Sequence, residues 1–387
     1  MRKVRWVTAA SVVALATGLT TTPAQAAEGQ ILAAGSPEAI AGSYIVKLKD
    51  ETDSNKIAAK FGVKVERTYQ NALKGFAGTL SERQAKRLAA DPSVEYVEQN
   101  QVFHAETTQP NPPSWGLDRV DQRNLPLSKS YNYTSTGAGV NVYVIDTGLR
   151  VTHTTFGGRA KNGYDFVDND AVAQDGNGHG THVAGTIAGS QYGIAKSATV
   201  YGVRVLNNSG SGTTAGVVAG IDWVTKNAVK PAAANMSLGG GASTTLDAAV
   251  RRSIAAGITY GLAAGNSNTN AGNTSPARVT EAITVGATTN TDARSSFSNY
   301  GPVVDIFAPG TGITSSWGTG DTATNTISGT SMATPHVVGI VARYLQNHKT
   351  ATPAQVQSAL VAAATTGKVT GLPSGTANRL LYLDPAQ

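Results

Sequence analysis

From residue 140 onward the chain repeats one pattern, a short apolar run followed by a stretch of helical periodicity, and that alternation leaves few folds open. The runs are Val140 to Ile145, Thr199 to Leu206, Ala233 to Leu238, Ile258 to Ala264 and Ala282 to Val285. Helices are expected from His179 to Ala188, Thr213 to Lys226, Thr245 to Ala256, Ser331 to Gln346 and Pro353 to Ala363. Apolar strands joined through helices read as a parallel sheet covered on both faces, an α/β architecture. Ligands of such sheets bind beyond the carboxyl ends of the strands. Asp146, Ser237 to Gly240 and Gly265-Asn266 fall at those ends.

The preceding segment has another character. Residues 28–106 are rich in Lys and Glu, whereas Gly, Ser, Thr, Asn and Ala dominate afterwards and Glu281 is the only later glutamate. The proline-rich stretch Thr107 to Pro113 separates the two as a linker. Strands are expected at Ser43 to Lys49, Lys64 to Tyr69, Lys74 to Leu80 and Val94 to Val97, with a helix from Ser54 to Phe61. A second helix opens on a capping box of Ser81 and Gln84 and stops near Asp91-Pro92. This β-α-β-β-α-β order predicts a small ferredoxin-like α+β domain, a fold that by itself implies no function.

At the start, Arg2, Lys3 and Arg5 precede an apolar stretch from Trp6 to Leu19 and the small-x-small site Ala24-Gln25-Ala26. That is the pattern of a cleaved export signal, and the stretch is shorter than the roughly 20 residues needed to span a bilayer. The expected division is residues 1–26 as signal peptide, 27–106 as the small domain and 107–387 as the main domain. No cysteine is present, so neither disulfides nor thiolate metal sites hold this exported chain together. The formal net charge is +6. Three of the positive charges lie in the export signal, and the rest are dispersed without a basic run, which argues against a nucleic-acid partner.

Three separated words carry the chemistry: Val144-Ile145-Asp146-Thr147-Gly148, Gly178-His179-Gly180-Thr181-His182, and Gly329-Thr330-Ser331-Met332-Ala333. A serine hydroxyl attacks only when a base takes its proton, and the base is held in one tautomer by a carboxylate. Taken singly, each residue has an ordinary reading. Ser331 is placed to cap a helix, whose start is expected close to Pro335 because proline suits only a first turn. Asp146 is placed to cap a turn. His179 and His182 share a helix face, so periodicity does not choose between them; a zinc pair lacks the H-E-x-x-H spacing. Together, the order Asp, His, Ser marks one of three unrelated folds that carry such a triad. An α/β-hydrolase esterase is disfavoured by that order and by Gly329-x-Ser331-x-Ala333 in place of G-x-S-x-G.

These words resemble the active-site motifs of the subtilisin-like serine proteases, the subtilases, and are most similar to the proteinase K branch and its aqualysin-like enzymes. The resemblance covers nearly all of Trp115 to Leu383, including Trp115-Gly116-Leu117-Asp118-Arg119 and Ser295-Ser296-Phe297-Ser298-Asn299-Tyr300-Gly301. It implies a subtilisin-like domain with a central parallel sheet, behind a propeptide domain that assists folding and inhibits through its last strand, Gln101 to Glu106. It makes Ser331 the nucleophile, His179 the general base, Asp146 the orienting carboxylate, Asn266 the oxyanion-hole donor and His182 structural. Peptide substrates would pair with Ser237, Leu238, Gly239 and Gly240 on one side and Ser209, Gly210, Ser211 and Gly212 on the other, with Ala264 and Gly265 walling the primary pocket.

The same resemblance implies structural calcium at Asp305 with main-chain oxygens of Thr280 and Ala282, at Asp165 and Asp170, and at Asp118, Asp121 and Gln122. It also marks a departure, since Gly176, Asn208, Gly272 and Val303 stand where relatives often carry disulfides. The expected protein is a secreted, self-processing, monomeric endopeptidase of broad specificity. Its partners are protein and peptide substrates and its own propeptide, with no nucleic acid and no membrane once the signal is removed. Competing readings are a narrow processing protease and a non-catalytic binding protein on the same fold.

Overall fold

The computed structural model describes residues 27–36, 39–101 and 107–383. The expected signal peptide, Met1 to Ala26, and most of the expected inhibitory strand, Val102 to Glu106, lie outside the described residues. The chain forms two compact units, Met1–Val102 and Phe103–Gln387.

The first unit holds β1 (Ile31–Leu32), β2 (Ala39–Leu48), α1 (Ser54–Phe61), β3 (Lys64–Tyr69), β4 (Gly75–Thr79), α2 (Glu82–Ala89) and β5 (Val94–Gln101). The sheet order is β1-β5-β2-β4-β3, antiparallel except where β1 joins β5. Without the two-residue β1, which the sequence does not announce, this is the expected ferredoxin-like unit. Helix ends follow local chemistry. Asp53 accepts from the Asn55 and Lys56 amides to start α1, Gly62 ends it at φ +64°, and the Ser81–Gln84 capping box opens α2. Tyr44, Val46, Leu48, Phe76, Leu88 and Val97 pack the core between sheet and helices.

The second unit begins with β6 (Thr107–Pro110), α3 (Trp115–Val120) and β7 (Ser130–Tyr133). There follow β8 (Asn141–Asp146), β9 (Ala160–Asp165), α4 (His179–Ala188), β10 (Thr199–Arg204), α5 (Thr214–Asn227), β11 (Ala232–Met236), β12 (Gly240–Gly241), α6 (Thr244–Ala255) and β13 (Thr259–Ala263). The remainder is β14 (Thr274–Ser275), β15 (Ile283–Thr288), β16 (Ile306–Pro309), β17 (Ile313–Ser316), β18 (Thr324–Ile327), α7 (Thr330–Asn347), α8 (Pro353–Ala363), β19 (Thr365–Thr366) and β20 (Arg379–Leu380).

Nine strands form the central sheet in the order β19-β20-β16-β15-β13-β11-β8-β10-β9, parallel except for β19 against β20. Because side chains alternate along a strand, β8 feeds two cores at once. Val142 and Val144 pack with Val183 and Ile187 of α4 and Val337 and Val341 of α7. Tyr143 and Ile145 pack on the other face with Val217 and Ile221 of α5 and Val250 of α6. All five strands and five helices expected from sequence are present; in the central sheet β9, β16, β19 and β20 are additional.

In a chain without disulfides, one buried ion pair ties distant segments of the second unit together. Arg119, fully buried, grips Asp292 through two hydrogen bonds of 2.7 and 3.0 Å, tying α3 to the turn after β15. The positions marked for disulfides adjoin: a Cβ on Gly176 would strike the Asn208 side chain, and one on Gly272 would lie 3.9 Å from Val303 Cγ1.

Candidate active site

Asp146 is the last residue of β8, the strand flanked by β11 and β10, and it is fully buried. Its Oδ1 accepts from the Thr147 amide at 2.7 Å and from His179 Nδ1 at 2.8 Å. Since a carboxylate only accepts, Nδ1 carries the proton and Nε2 is left as the proton acceptor. Burial works to lower the His179 pKa, but the charge and hydrogen bond of Asp146, with Asp175 beyond, outweigh it and hold the imidazole above its ordinary value.

His179 is the first residue of α4, whose N-cap is Gly178 at φ +112°. A side chain there would meet both an unfavourable backbone and the Trp317 indole. The geometry separates the two histidines that periodicity could not. His182 is buried, donates from Nε2 to the Ile313 carbonyl at 3.0 Å, and is pushed down by burial to about 4, so it is a neutral core residue.

Asp175 is a site residue that the sequence reading missed. One of its oxygens accepts from the Thr147 hydroxyl at 2.9 Å and from the Asn177 and Gly178 amides; the other accepts from the Thr181 amide and hydroxyl. Thr147 Oγ1 in turn accepts from the Gly180 amide at 2.9 Å. A single buried carboxylate thus links the residue after Asp146 to the first turn of the His179 helix. The available signal was an acidic residue just ahead of a helix start.

Ser331 is the second residue of α7, so its backbone N–H is among those a first turn leaves unbonded within the helix. Its hydroxyl donates to the Ser237 carbonyl at 3.1 Å. Pro335 lies deeper in α7 than expected, as the sixth residue, where it has no N–H for the Ser331 carbonyl four residues earlier. The Ser237 hydroxyl supplies that bond at 2.8 Å and is itself held by Asn235 Nδ2 at 2.9 Å.

Asn266 follows β13 through Gly265, at φ +101°, where a Cβ would strike the Asn299 amide. Asn266 Oδ1 accepts from the Thr330 amide at 2.8 Å and the Thr330 hydroxyl at 2.9 Å. With the carbonyl end so fixed, the Nδ2 end is the one left to donate.

Two clefts meet at these residues. One, of about 480 Å³, is lined by His179, by Gly210 to Gly212 and by Ser237 to Gly241; the other, of about 370 Å³, by Ser331, Asn266, Gly265 and Leu238 to Gly241. Two expected substrate-binding residues line neither: Ser209 is held by Asn207, and Ala264 is fully buried with its carbonyl taken by Asn299.

The expected calcium ligands divide by fit. Among the described residues no cluster of three or more Asp, Glu or His side chains converges on one point. Asp165 is already neutralised by Arg204 at 2.6 Å, and its other oxygen accepts from the Val167 and Asp168 amides. Asp170 accepts from the Val172 amide. A guanidinium in that place makes this pair the poorest of the three cation sites as the side chains stand. Asp118 and Gln122 accept amides of Ser128 and Lys129. Asp121 Oδ2 accepts from Asn132 at 2.6 Å, while its buried Oδ1 has no partner, and burial pushes this carboxyl up to about 6. One orphaned oxygen there fits a cation. At the remaining site, the Thr280 and Ala282 carbonyls and Asp305 Oδ1 converge, a hard-oxygen set suited to calcium. Burial pushes Asp305 up to about 6.

Comparison with known proteins now bears on this geometry. Residues 137–378 match the subtilase family and residues 43–106 match the peptidase inhibitor I9 family. The chain is 49% identical over 380 residues to an extracellular serine proteinase of Thermus sp. (strain Rt41A), covering 92% of each chain. It is 42% identical over 354 residues to proteinase R of Parengyodontium album, covering 89% of each. The solved structure of a cold adapted subtilisin-like serine proteinase aligns with a TM-score of 0.68 at 60% identity, over 69% of this chain and 97% of that one. Together with a carboxylate-held histidine in one cleft and a serine in the cleft adjoining it, these matches show that the chain belongs to the subtilase family of serine proteinases, with an I9 inhibitor domain ahead of its subtilase domain.

Proposed function

We propose that Asp146, His179 and Ser331 are the catalytic triad of a secreted endopeptidase of broad specificity, with Asn266 in the oxyanion hole. The observation that carries this reading is the 2.8 Å bond from His179 Nδ1 to Asp146, which leaves Nε2 unprotonated in a cleft that shares Leu238 to Gly241 with the one Ser331 and Asn266 line. His179 takes the Ser331 proton as the hydroxyl attacks the scissile carbonyl, and returns it to the leaving amine. Asn266 Nδ2 and the Ser331 amide stabilise the oxyanion. Water then hydrolyses the acyl-enzyme by the same proton path in reverse.

Extended peptides pair their main chain with Gly210 to Gly212 and with Leu238 to Gly240, a mode that tolerates many side chains. Residues 1–26 direct export, 27–106 act as an inhibitory propeptide, and 107–387 form the mature monomeric enzyme. No helix among the described residues is long and apolar enough to cross a membrane. Calcium has a structural role, held by Thr280, Ala282 and Asp305 and by Asp121 with Asp118 and Gln122. Bound there it supplies charge neutralisation between loops and takes no part in the bond-breaking steps.

The test is expression of the full chain beside Ser331→Ala, read by intact mass, casein hydrolysis and labelling with an organophosphonate. The parent should lose its first domain by a cut near residue 106, digest casein and carry the label on Ser331. A Ser331→Ala precursor that is still cut there without added protease overturns the reading.

A further inference from the structure

The carboxamide nitrogen of Gln357 reaches three oxygens at once: the Thr280 carbonyl at 3.2 Å, the Ala282 carbonyl at 2.9 Å and Asp305 Oδ1 at 3.3 Å. These are the three oxygens assigned above to a cation. Two are carbonyls and the third belongs to a carboxylate, so all of them accept hydrogen bonds and the nitrogen end of the amide is the end that must face them. The other Asp305 oxygen is occupied by the Thr284 amide at 2.8 Å.

The placement of Gln357 is built in. It lies on α8, whose start is fixed by a capping box of Thr352 and Gln355 with Pro353 in the first turn, and whose Val356 and Leu360 are buried in the main core. The helix is therefore anchored by its own packing, and Gln357 is delivered to the oxygens from a rigid base.

We propose that the Gln357 amide is an internal stand-in for calcium, a tethered donor that holds Thr280, Ala282 and Asp305 together when no cation is bound and that calcium must displace to enter. This rests on the calcium reading given above and goes beyond it. A carboxamide donates at most two hydrogens, so three acceptors are never all satisfied together. The stand-in is accordingly weaker than the cation but always present at unit stoichiometry, and it makes the loops less dependent on calcium supply.

The experiment uses the full chain carrying Ser331→Ala, to prevent self-digestion, with and without Gln357→Ala or Gln357→Glu. Melting temperature is measured in EDTA and in saturating calcium, and calcium binding by titration calorimetry, with Asp305→Asn as the variant lacking this site. Removing the amide should lower the melting temperature in EDTA and tighten calcium binding roughly tenfold, the worth of about one charge-assisted hydrogen bond no longer displaced. Gln357→Glu should widen the gap between EDTA and calcium further, because it adds a carboxylate beside Asp305. Equal calcium affinity and equal EDTA melting in parent and Gln357→Ala overturn the proposal. If neither protein binds calcium, the calcium assignment fails on its own, and the stand-in is judged by whether Gln357→Ala still melts lower in EDTA.

Discussion

Ser237 and Ser331 are bonded to each other twice: the Ser331 hydroxyl donates to the Ser237 carbonyl at 3.1 Å, and the Ser237 hydroxyl donates to the Ser331 carbonyl at 2.8 Å. The second bond replaces the helical one that Pro335 cannot make. Ser237→Ala should therefore leave a carbonyl without a donor in the first turn of α7, at a cost of about 1–3 kcal/mol. A lowered melting temperature, and a loss in kcat exceeding any change in KM, would show that this bond also sets the position of the Ser331 hydroxyl.

If Asn266 donates to the oxyanion as proposed, Asn266→Ala should reduce kcat by roughly 100- to 1000-fold with little change in KM, the loss seen on removing the oxyanion-hole asparagine of subtilisin. Steady-state kinetics on a peptide amide read it. An equal loss in binding and turnover would place Asn266 in substrate binding instead.

Activity should rise with pH through a pKa above 6.5, because His179 works as a base only when neutral and Asp146 and Asp175 hold it protonated longer. The stability contribution has the opposite slope. A raised folded-state pKa gives stabilisation that is complete below the unfolded value and is lost as pH climbs through the folded one. Profiles of kcat/KM in the parent, and of melting temperature in Ser331→Ala, against pH check both signs.

Asp175→Asn keeps a side chain of the same shape but removes the charge that helps raise His179 and, where its nitrogen replaces Oδ2, the acceptor for the Thr181 amide and hydroxyl in the first turn of α4. The acidic limb of the kcat/KM profile should move to lower pH and kcat should fall. A fall in kcat with an unmoved limb would reduce Asp175 to a purely structural cap.

Arg119 and Asp292 form a buried, doubly bonded ion pair. Removing one partner strands the other charge, so Asp292→Ala should cost about 3–5 kcal/mol in denaturant unfolding. Replacing both by apolar residues should recover much of the loss; a double variant no better than the single would contradict this account.

What could be read in the sequence follows from where the determining interactions lie. Helices α1, α4 and α8 match their expected bounds, and α1 and α8 have end signals that are local: Asp53 with Gly62, and Thr352 with Pro353. Strand β9 escaped because Lys161, Asn162 and Gly163 present no apolar run; it is an edge strand, paired only to β10. The three motif words supplied Asp146, His179 and Ser331, but periodicity left His179 and His182 equivalent; the family resemblance chose His179, and the physical reason, the Ile313 carbonyl that occupies His182, lies 131 residues away from His182 in sequence. Likewise the part of Ser237 depends on a carbonyl 94 residues distant, and that of Gln357 on Asp305, 52 residues earlier. Single-position patterns do not encode such pairings.

Helix α7 buries fourteen of its eighteen residues, and Ser331 rides on its second position. Beyond its unbonded first turn, the amides of such a buried rod belong to the most protected class, those freed by large openings. The exposed stretch from Ser209 to Gly212, by contrast, is held by local bonds to Asn207. The serine is thus kept in register by the same side chains that hold the domain together, and displacing it along α7 requires that core to give way.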